Sequence, residues 1–524
     1  AGGVAVAPLL STQWGQDEPY NLLCPTYTQW STGQTCHYPT GCVATAMAQI
    51  MKYHNYPPKG NGVVEWNSET LDLSKSAYDW NSMLDTYFNT DYTDQQAKAV
   101  ATLMRDAGYA VRMMYSSDGS GAYAFDIAPA MIRNFNYSRD IRYCERSSFS
   151  TEEWTAMIRE NLERGEPVIY GGAGINSAHQ FVCDGIDSND YLHINWGWDG
   201  SCDGYFDMNV LDPLGGYVGG QENVYFREQN MVIDIRPGDP DADNTSYNPV
   251  LLIYNWEFAA SNASPGRAPL AVGMSFRMFT RRDAHGSYYH WNADLYDKDR
   301  NMVASDVSSS TYRYATSYYK YQDVEWTLNM TKAFEGRQLD DGDYFVKLRF
   351  RQGYNAEQDC EAEFACDSYF PLKVRDGSIV VEEVSLPAVN YELVSIVQND
   401  AIYAGGLGSP TVDVTIRNTG SVVAEFGSLY MYCIPEAEAA DDIDLSSYKS
   451  NGSVSVYAYA GSQVTVRGSI GKIAEPGRYR VYLADGDQKR IKEDLPQYIE
   501  ITPLPDDRPF VLTSRVSTDV PSYE

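Results

Sequence analysis

Cys42 is the residue best placed for covalent chemistry, because it follows Gly41 at the start of a helical pattern. Apolar residues recur at helical spacing over the next turns, at Ala44, Met47, Ala48 and Met51. Thr40 is predicted to cap the first turn. The positive end of a helix and its free N–H groups stabilise a thiolate, which is a nucleophile. The alternative is a buried structural cysteine, since free cysteine is among the most buried residue types.

A cysteine nucleophile needs a base that takes its proton and later protonates the leaving amine. His179 begins a strand of a predicted hairpin, and the next predicted strand, 191–198, carries Asn195 and Trp196. We expect Asn195 to orient the imidazole and Trp196 to shield their hydrogen bond from water. Taken singly, His179 suits a core or loop position and Asn195 suits a turn. The order cysteine, histidine, Asn-Trp favours catalysis.

The first 236 residues resemble the streptopain-like cysteine peptidases, secreted bacterial enzymes with a papain-type fold. The matching blocks are Pro19–Leu23, Thr40–Ala46, Ala48–Pro57, Tyr78–Asn81, His193–Trp198 and Asp203–Gly204. The resemblance implies that Cys42 is the nucleophile and His179 the base and acid, with Asn195 and Trp196 as orienting and shielding groups. It also implies cleavage of protein peptide bonds through a thioester on Cys42. The C-terminal half of the chain lies outside the resemblance.

Acyl transfer places negative charge on the carbonyl oxygen and requires hydrogen-bond donors there. The backbone N–H of Cys42 is one donor. Papain-type enzymes add a glutamine upstream of the cysteine, for which Gln16 is the best match and Gln13 the alternative. A surface glutamine in an N-terminal loop is the competing interpretation. The streptopain pattern also has a glutamine shortly before its histidine, where this chain has Gly171, so we expect that role to be lost or taken over by Gln16.

A Gly/Ser-rich loop, 116–122, matches by position the family's substrate-contacting loop. The resemblance implies backbone contacts from Gly119 and Ser120 to a peptide, and an apolar pocket for the residue two before the cut. That pocket is expected to be lined by 114–123 and by residues just before His179, where Ala178 leaves room for a substrate backbone. A plain flexible connector is the alternative for this loop.

The elements that position these residues are predicted to form an α+β papain-like domain of two lobes. Helices are predicted at 41–54, 94–107, 124–134 and 151–164. Thr93 caps the second, and Ser150 with Glu153 forms a capping box on the last. A twisted antiparallel sheet is predicted from about 166 to 235. The cleft between the lobes then sets a helix-borne nucleophile opposite a sheet-borne base.

Beyond the peptidase domain, 1–236, the pattern changes to short alternating strands. The Pro/Asp-rich segment 237–245 is predicted to be a linker. Two all-β, immunoglobulin-like sandwich domains are predicted over 246–380 and 386–503, followed by an extended tail, 504–524. They carry no catalytic constellation, so residues 1–236 are expected to fold and cleave peptides alone. The sandwiches are expected to bind a surface or a large substrate, or to stabilise the enzyme.

The composition excludes some partners. A net charge of −31 over 524 residues argues against nucleic acid and anionic membrane surfaces, and no run is long enough to insert into a membrane. The expected partners are protein or peptide substrates, and no cofactor is expected. The chain is expected to be a secreted or cell-surface bacterial protein. It is expected to be made as a precursor whose signal peptide and prodomain are not present here.

Nine cysteines leave eight besides the nucleophile, and sequence does not give their connectivity. Cys24 with Cys36, and Cys360 with Cys366, are close enough to clip loops, whereas Cys183 suits a strand core. Metal ligation by Cys36 and His37 lacks a second paired motif. The Gly-containing loop that carries Asp199, Asp203 and Asp207 is open to two interpretations, a calcium site or a solvated loop, and the solvated loop is favoured because the spacing is not that of an EF-hand. We therefore expect no metal.

Two other function classes stay open at this point. One is a different thiol chemistry on the same fold, such as a transglutaminase or amidase, which usually pairs cysteine and histidine with aspartate. Asn195 followed by Trp196 favours the peptidase. The other is an adhesin with an inactive catalytic module, and the presence of all the expected catalytic side chains disfavours it.

Overall fold

The computed structural model describes residues 5–174, 177–213, 224–259, 271–281, 286–308, 311–315, 320–330, 340–355, 358–376, 378–380, 389–406 and 410–504. No helix within these ranges is both long enough and apolar enough to cross a membrane. The predicted tail, 504–524, lies outside them except for its first residue. The chain forms two compact units, one built mainly of residues 1–390 and one built from segments between 391 and the C-terminus.

Four α-helices lie in the N-terminal part, close to their predicted positions. Their bounds are Cys42–His54 (α1), Asp94–Ala110 (α2), Ile127–Phe135 (α3) and Thr151–Glu163 (α4). The predicted cap of α2 is a full capping box between Thr93 and Gln96, and the box between Ser150 and Glu153 at α4 is confirmed. The segment predicted as helix 124–134 begins with a separate 3-10 turn, Ala124–Asp126, before α3.

Ten short strands accompany these helices. Two hairpins come first, β1 (Thr26–Thr28) with β2 (Thr35–His37) and β3 (Val63–Trp66) with β4 (Glu69–Asp72). The other six are β5 (Arg142–Glu145), β6 (Val168–Ala173), β7 (Ala178–Ile186), β8 (Leu192–Asn195), β9 (Gly204–Phe206) and β10 (Arg227–Ile233). They form one antiparallel sheet in the order β5-β10-β6-β7-β8-β9. The predicted sheet over 166–235 is therefore present, with β5 as an additional strand.

The sheet separates two hydrophobic cores. One core contains the apolar residues of α1, α2 and α3, and the other contains those of α4 and of the opposite face of the sheet. Every residue of α1 from Val43 to Met51 is buried, as expected of a helix that runs through the middle of a domain. Because α1 packs against β7, the two lobes meet where Cys42 and His179 lie.

Residues beyond 236 continue this compact unit. The predicted linker packs on α3 and its C-terminal turn, since Pro237 forms a β-bridge with Tyr137 and Asn136 Nδ2 donates to the Pro240 carbonyl at 2.9 Å. Leu252 and Phe279 of the next module belong to the same buried cluster as α1, α2 and α3. This shared core argues against independent folding of 1–236, because removal of the module would expose apolar side chains.

The following module consists of two facing sheets. Its strands are β11 (Leu251–Ala259), β12 (Ala271–Thr280), β13 (Tyr288–Asp297), β14 (Met302–Ala304), β15 (Thr311–Tyr314), β16 (Lys320–Asn329), β17 (Gly342–Gln352), β18 (Gln358–Cys360), β19 (Ala362–Phe364), β20 (Phe370–Arg375) and β21 (Ser378–Val380). One sheet has the order β16-β12-β11-β19, and the other is built on β14-β13-β17-β20-β21. A common hydrophobic core joins residues of both sheets, so this region is a β-sandwich.

The second unit is also β-rich. Its strands are β22 (Tyr391–Gln398), β23 (Ile402–Tyr403), β24 (Thr411–Asn418), β25 (Ala424–Pro435), β26 (Gly452–Ala458), β27 (Gln463–Ile470), β28 (Gly477–Ala484), β29 (Lys492–Glu493) and β30 (Gln497–Thr502). They form one sheet in the order β23-β30-β28-β25-β26-β27-β24-β22-β29. Strand-rich modules after the peptidase domain are thus confirmed, whereas the immunoglobulin-like type stays a prediction.

All nine cysteines are free thiols in this structure. The suggested clips between Cys24 and Cys36 and between Cys360 and Cys366 are therefore not formed. Cys24 is buried and Cys36 is half-buried on β2, so the two occupy different environments. Cys183 is fully buried within the core of the sheet, in line with its predicted core position.

Candidate active site

Cys42 is the first residue of α1, and the backbone around it is shaped by Gly41. Gly41 is the N-cap residue with a φ of 88°, a conformation that favours glycine. A Cβ at this position would lie 2.5 Å from Met113 Sδ and 2.9 Å from the Ser120 carbonyl oxygen. The predicted cap by Thr40 is wrong, because Thr40 Oγ1 pairs with Thr45 Oγ1 at 2.9 Å instead. The first turn of α1 therefore keeps its N–H groups free of a side-chain cap.

The sulfur of Cys42 lies among backbone N–H groups. Those of Gln180, Val43 and Cys42 itself lower the pKa of the thiol, but burial is the largest effect and raises the pKa overall. The expected resting thiolate at the helix start is thus opposed by desolvation. Gln180 directly follows His179, so this contact brings the cysteine to the strand that carries the histidine.

His179 lies on β7 within an aromatic enclosure. Its ring packs nearly parallel to Trp198 at a centroid distance of 4.9 Å and to Trp196 at 6.2 Å, with Tyr225 at 5.5 Å. Only 7% of the residue is exposed, and burial lowers the pKa of His179 to about 4. The histidine is therefore neutral at neutral pH and able to accept a proton.

The tautomer of His179 follows from its hydrogen bond. Nε2 lies 2.8 Å from the backbone carbonyl oxygen of Trp196, and a carbonyl oxygen only accepts. In the neutral ring Nε2 must therefore carry the proton, which leaves the lone pair on Nδ1. This hydrogen bond fixes the ring through Nε2 and leaves Nδ1 able to accept a proton, as a general base requires.

Asn195 occupies the end of β8, but its side chain forms hydrogen bonds with residues other than His179. Its Oδ1 accepts from Gln49 Nε2 at 3.0 Å and from the Gly197 N–H at 3.1 Å, and its Nδ2 donates to the Thr12 carbonyl at 2.7 Å. The expected hydrogen bond from Asn195 to His179 is not formed, because the Trp196 carbonyl takes that place. Asn195 instead ties α1, through Gln49, to the turn that holds the histidine.

Trp196 packs beside the imidazole, but the hydrogen bond between Asn195 and His179 that it was predicted to shield is not formed. Trp196 is fully buried, its Nε1 donates to the Cys202 carbonyl at 3.0 Å, and its N–H donates to Asp203 Oδ1 at 2.9 Å. Trp198 lies closer to the ring than Trp196 and was missed by the sequence analysis. The aromatic spacing Trp-Gly-Trp was the available signal.

Gln16 and Gln13 lie in different surroundings. The Gln16 carbonyl accepts from the Thr40 N–H at 3.0 Å, which places residue 16 beside the start of α1. Gln13 is exposed, and a Cβ on Gly200 would lie 2.8 Å from its Cδ. Of the two candidate oxyanion donors, Gln16 is the one whose backbone is fixed next to the nucleophile.

The candidate substrate loop closes on the cysteine. Met114 and Gly121 exchange backbone hydrogen bonds of 2.8 and 3.2 Å, so 114–121 is a tight hairpin. Ser120 is buried, with its carbonyl against Gly41, whereas Gly119 has open space around it. Ala178 is exposed at the start of β7. Ser120 therefore lies at the nucleophile, and Gly119 and Ala178 line accessible surface.

The missing side chain at Gly171 has a neighbour that fills its space. Gly171 pairs with Gln180 across β6 and β7, and a Cβ on Gly171 would lie 2.0 Å from Gln180 Oε1. Gln180 Nε2 reaches past β6 to Asn230 Oδ1 on β10, at 2.8 Å. An amide is thus present beside the site, supplied by Gln180, and the expectation that Gln16 takes over the role of residue 171 gains no support.

The three aspartates considered for calcium do not converge. Asp199 accepts from Tyr20, Asp203 accepts from the backbone of Trp196, and Asp207 accepts from the N–H of Asn209. Among the residues that the structure describes, no group of three or more His, Cys, Asp or Glu side chains could hold a metal ion.

A cysteine at the start of a helix, beside the strand that carries a histidine and between the two lobes of an α+β domain, is the arrangement of the papain-like fold. Comparison with known proteins finds the same likeness in this part of the chain. Residues 14–206 match the model of the Peptidase C10 family. The N-terminal part of the chain is therefore similar to the streptopain-like cysteine peptidases of this family.

The relatives match this part of the chain only. Streptopain from Streptococcus pyogenes is 36% identical over 240 residues, which is 43% of this chain and 60% of streptopain. Thiol protease/hemagglutinin PrtT from Porphyromonas gingivalis is 32% identical over 273 residues, covering 49% of this chain and 31% of that protein. A solved structure of active interpain A cysteine protease from Prevotella intermedia is 36% identical, with a TM-score of 0.39 and coverage of 44% and 94%. The match thus spans less than two thirds of the length of each of these two curated relatives.

Proposed function

We propose that this chain is a secreted cysteine endopeptidase that hydrolyses protein peptide bonds through a thioester on Cys42. The observation that carries the proposal is the fixed tautomer of His179. With Nε2 held by the Trp196 carbonyl at 2.8 Å, Nδ1 is the atom that takes the Cys42 proton. The aromatic enclosure keeps the ring neutral until that transfer.

Acylation in this scheme begins from an uncharged pair. Burial raises the pKa of Cys42 and lowers that of His179, so the proton moves from sulfur to Nδ1 as the sulfur attacks the carbonyl carbon. The N–H of Cys42 and the side chain of Gln16 donate to the developing oxyanion. Nδ1–H then protonates the leaving amine, and water, deprotonated by His179, hydrolyses the thioester.

The proposed specificity is an apolar side chain two residues before the cut. The hairpin 114–121 offers Met114, which is 49% exposed, beside the buried Ser120. Gly119 and Ser120 would contact the substrate backbone, and Ala178 leaves room for it. A peptide library with Val, Ile or Leu at that position should be cleaved faster than one with charged residues, and a strict charged requirement would contradict the assignment.

For the C-terminal modules we propose immunoglobulin-like sandwiches that bind a large or surface-attached substrate. Mostly antiparallel strands in two facing sheets support the sandwich type for β11 to β21. The proposal leaves the chemistry to the N-terminal domain. It predicts that the full chain cleaves a bulky matrix protein better than the isolated domain does, where that domain folds.

The direct test is Cys42→Ala, with Cys202→Ala as the matched control because Cys202 is an exposed free thiol. The folded Cys42→Ala protein should lose casein cleavage, and the control should retain it. Full casein cleavage by folded Cys42→Ala protein would refute the nucleophile assignment.

A further inference from the structure

Arg281, at the end of β12 in the β-sandwich, reaches into the peptidase domain. It is 5% exposed. Its Nη2 donates to the Phe125 carbonyl at 2.8 Å, and its Nη1 donates to the Pro249 carbonyl at 3.1 Å. Its Nη2 also forms an ion pair with Glu363 Oε2 at 2.5 Å, and both side chains are at most 10% exposed. One guanidinium group thus joins two β-sandwich segments to the backbone of the peptidase.

The backbone that Arg281 holds is the exit of the candidate substrate loop. Phe125 lies two residues after segment 114–123, and Tyr123 stacks on its ring at 5.0 Å with an interplanar angle of 11°. Phe125 also packs against Phe279 of β12 at 4.9 Å. The loop is therefore held at Ser120, which lies against Gly41, and just beyond its C-terminal end by contacts of Phe125 with the sandwich.

Charged side chains also lie where the sandwich contacts the peptidase domain. Asp126, next to Phe125, is half-buried, and desolvation raises the pKa of its carboxyl to about 6 in spite of the positive charge of Arg281. A buried ion pair such as Arg281 with Glu363 is weak evidence for stability, because desolvation of both charges offsets their attraction. Unlike an apolar side chain, the guanidinium fixes the positions of the carbonyl groups that it bonds, since its N–H groups lie in a fixed plane.

We propose that Arg281 is a positioning residue for substrate binding, and that through it the β-sandwich completes the substrate loop of the peptidase. The proposal rests on the proposed function, in which segment 114–123 lines the pocket for the residue two before the cut. It follows that the sandwich contributes to binding of small peptides as well as large proteins. The reacting atoms of Cys42 and His179 are not touched by Arg281, so chemistry should change less than binding.

The test compares Arg281→Met and Arg281→Lys with Arg277→Met in the full chain. Arg277 lies on the same strand, but its ion pair with Asp323 is exposed at 49% and 73%. Steady-state kinetics use a small peptide with Leu two residues before the cut. Labelling of Cys42 by a thiol-trapping epoxide measures the reactivity of the nucleophile separately.

For Arg281→Met we expect KM to rise about tenfold with kcat changed less than about twofold, because a displaced loop weakens binding. Arg281→Lys keeps the charge beside Glu363 but cannot serve all three acceptors with a planar fork. Because the charge is kept, Arg281→Lys should fold like the wild type, and because the fork is lost, it should still raise KM. The test therefore stays informative if Arg281→Met fails to fold. Arg277→Met should match the wild type, and the labelling rate should be unchanged in all three variants.

An unchanged KM in folded Arg281→Lys and Arg281→Met would overturn the proposal. So would a fall in kcat and labelling rate at constant KM, since that would place the effect at the nucleophile. Failure of the proposed function itself would look different, because the wild-type chain would then not cleave the peptide at all.

Discussion

The two sides of the cleft hold their reactive groups by different means. Cys42 is positioned by local backbone, with Gly41 in a left-handed conformation before the first turn of α1. His179 is positioned mainly by residues distant in sequence, through the Trp196 carbonyl and the rings of Trp196, Trp198 and Tyr225. The position of the nucleophile can thus be predicted from neighbouring residues in the sequence, whereas the position and tautomer of the base depend on packing between strands.

The comparison makes His179 the most sensitive residue on the strand side. His179→Ala should lower kcat/KM by about 10²- to 10⁴-fold, because proton transfer to and from the substrate is lost. Peptide kinetics on the folded variant measure this. His193→Ala is the matched control, since His193 lies on β8 and bonds Asp184 instead, with Nδ1 2.7 Å from Oδ1. Equal losses in both variants would remove the special role of His179.

Substitution of Asn195 gives the next largest effect. It distinguishes orientation of the His179 ring from stabilisation of the fold around it. Asn195→Ala leaves Gln49 Nε2, the Gly197 N–H and the Thr12 carbonyl without their partner in a buried site. Each unpaired buried group costs about 1–3 kcal/mol, so the free energy of unfolding should fall clearly while kcat in folded protein falls by no more than about tenfold. Gln49→Ala removes the same network from the helix side and should behave alike.

A large loss of kcat in Asn195→Ala at unchanged stability, with Gln49→Ala active, would contradict this. It would mean that Asn195 orients the imidazole during turnover despite its partners in this structure. Thermal unfolding and peptide kinetics on the two variants give the answer together.

Gly171 and Gln180 provide the smallest and most specific test. Gly171→Ala places a Cβ where the Gln180 amide lies and should destabilise the protein by about 1–3 kcal/mol through overpacking. The double variant with Gln180→Ala should be no less stable than Gln180→Ala alone, since the clash is then absent. Additive losses in denaturant unfolding would show that the two positions do not share this space.

The sequence predicted the helices and strands that carry the site better than the hydrogen bonds between its side chains. The four helices, Cys42 at the start of α1 and the strand that carries His179 all follow from local patterns. The cap by Thr40 was wrong, because burial let its hydroxyl pair with Thr45 Oγ1. The amide of Asn195 was predicted to meet the histidine, but its partners Gln49 and Thr12 are far away in sequence. No local pattern indicates such pairing.

Domain boundaries show the same limit. The composition of 237–245 is typical of a linker, yet Pro240 accepts a hydrogen bond from Asn136. Strand β5 was missed because its pairing with β10 joins residues about ninety positions apart. The contact of Arg281 with Phe125 joins positions still farther apart, so only the folded chain reveals it.

The central claim is that Cys42 is a nucleophile activated by His179, and labelling with a thiol-trapping epoxide followed by mass spectrometry tests it most directly. The account predicts one adduct, on Cys42, with the other cysteines unmodified and activity lost in proportion. It also predicts that labelling slows as pH falls through about 4, where His179 becomes protonated, and that His179→Ala labels much more slowly at neutral pH. Loss of activity with the adduct on Cys36 or Cys202 and Cys42 unmodified would contradict the account.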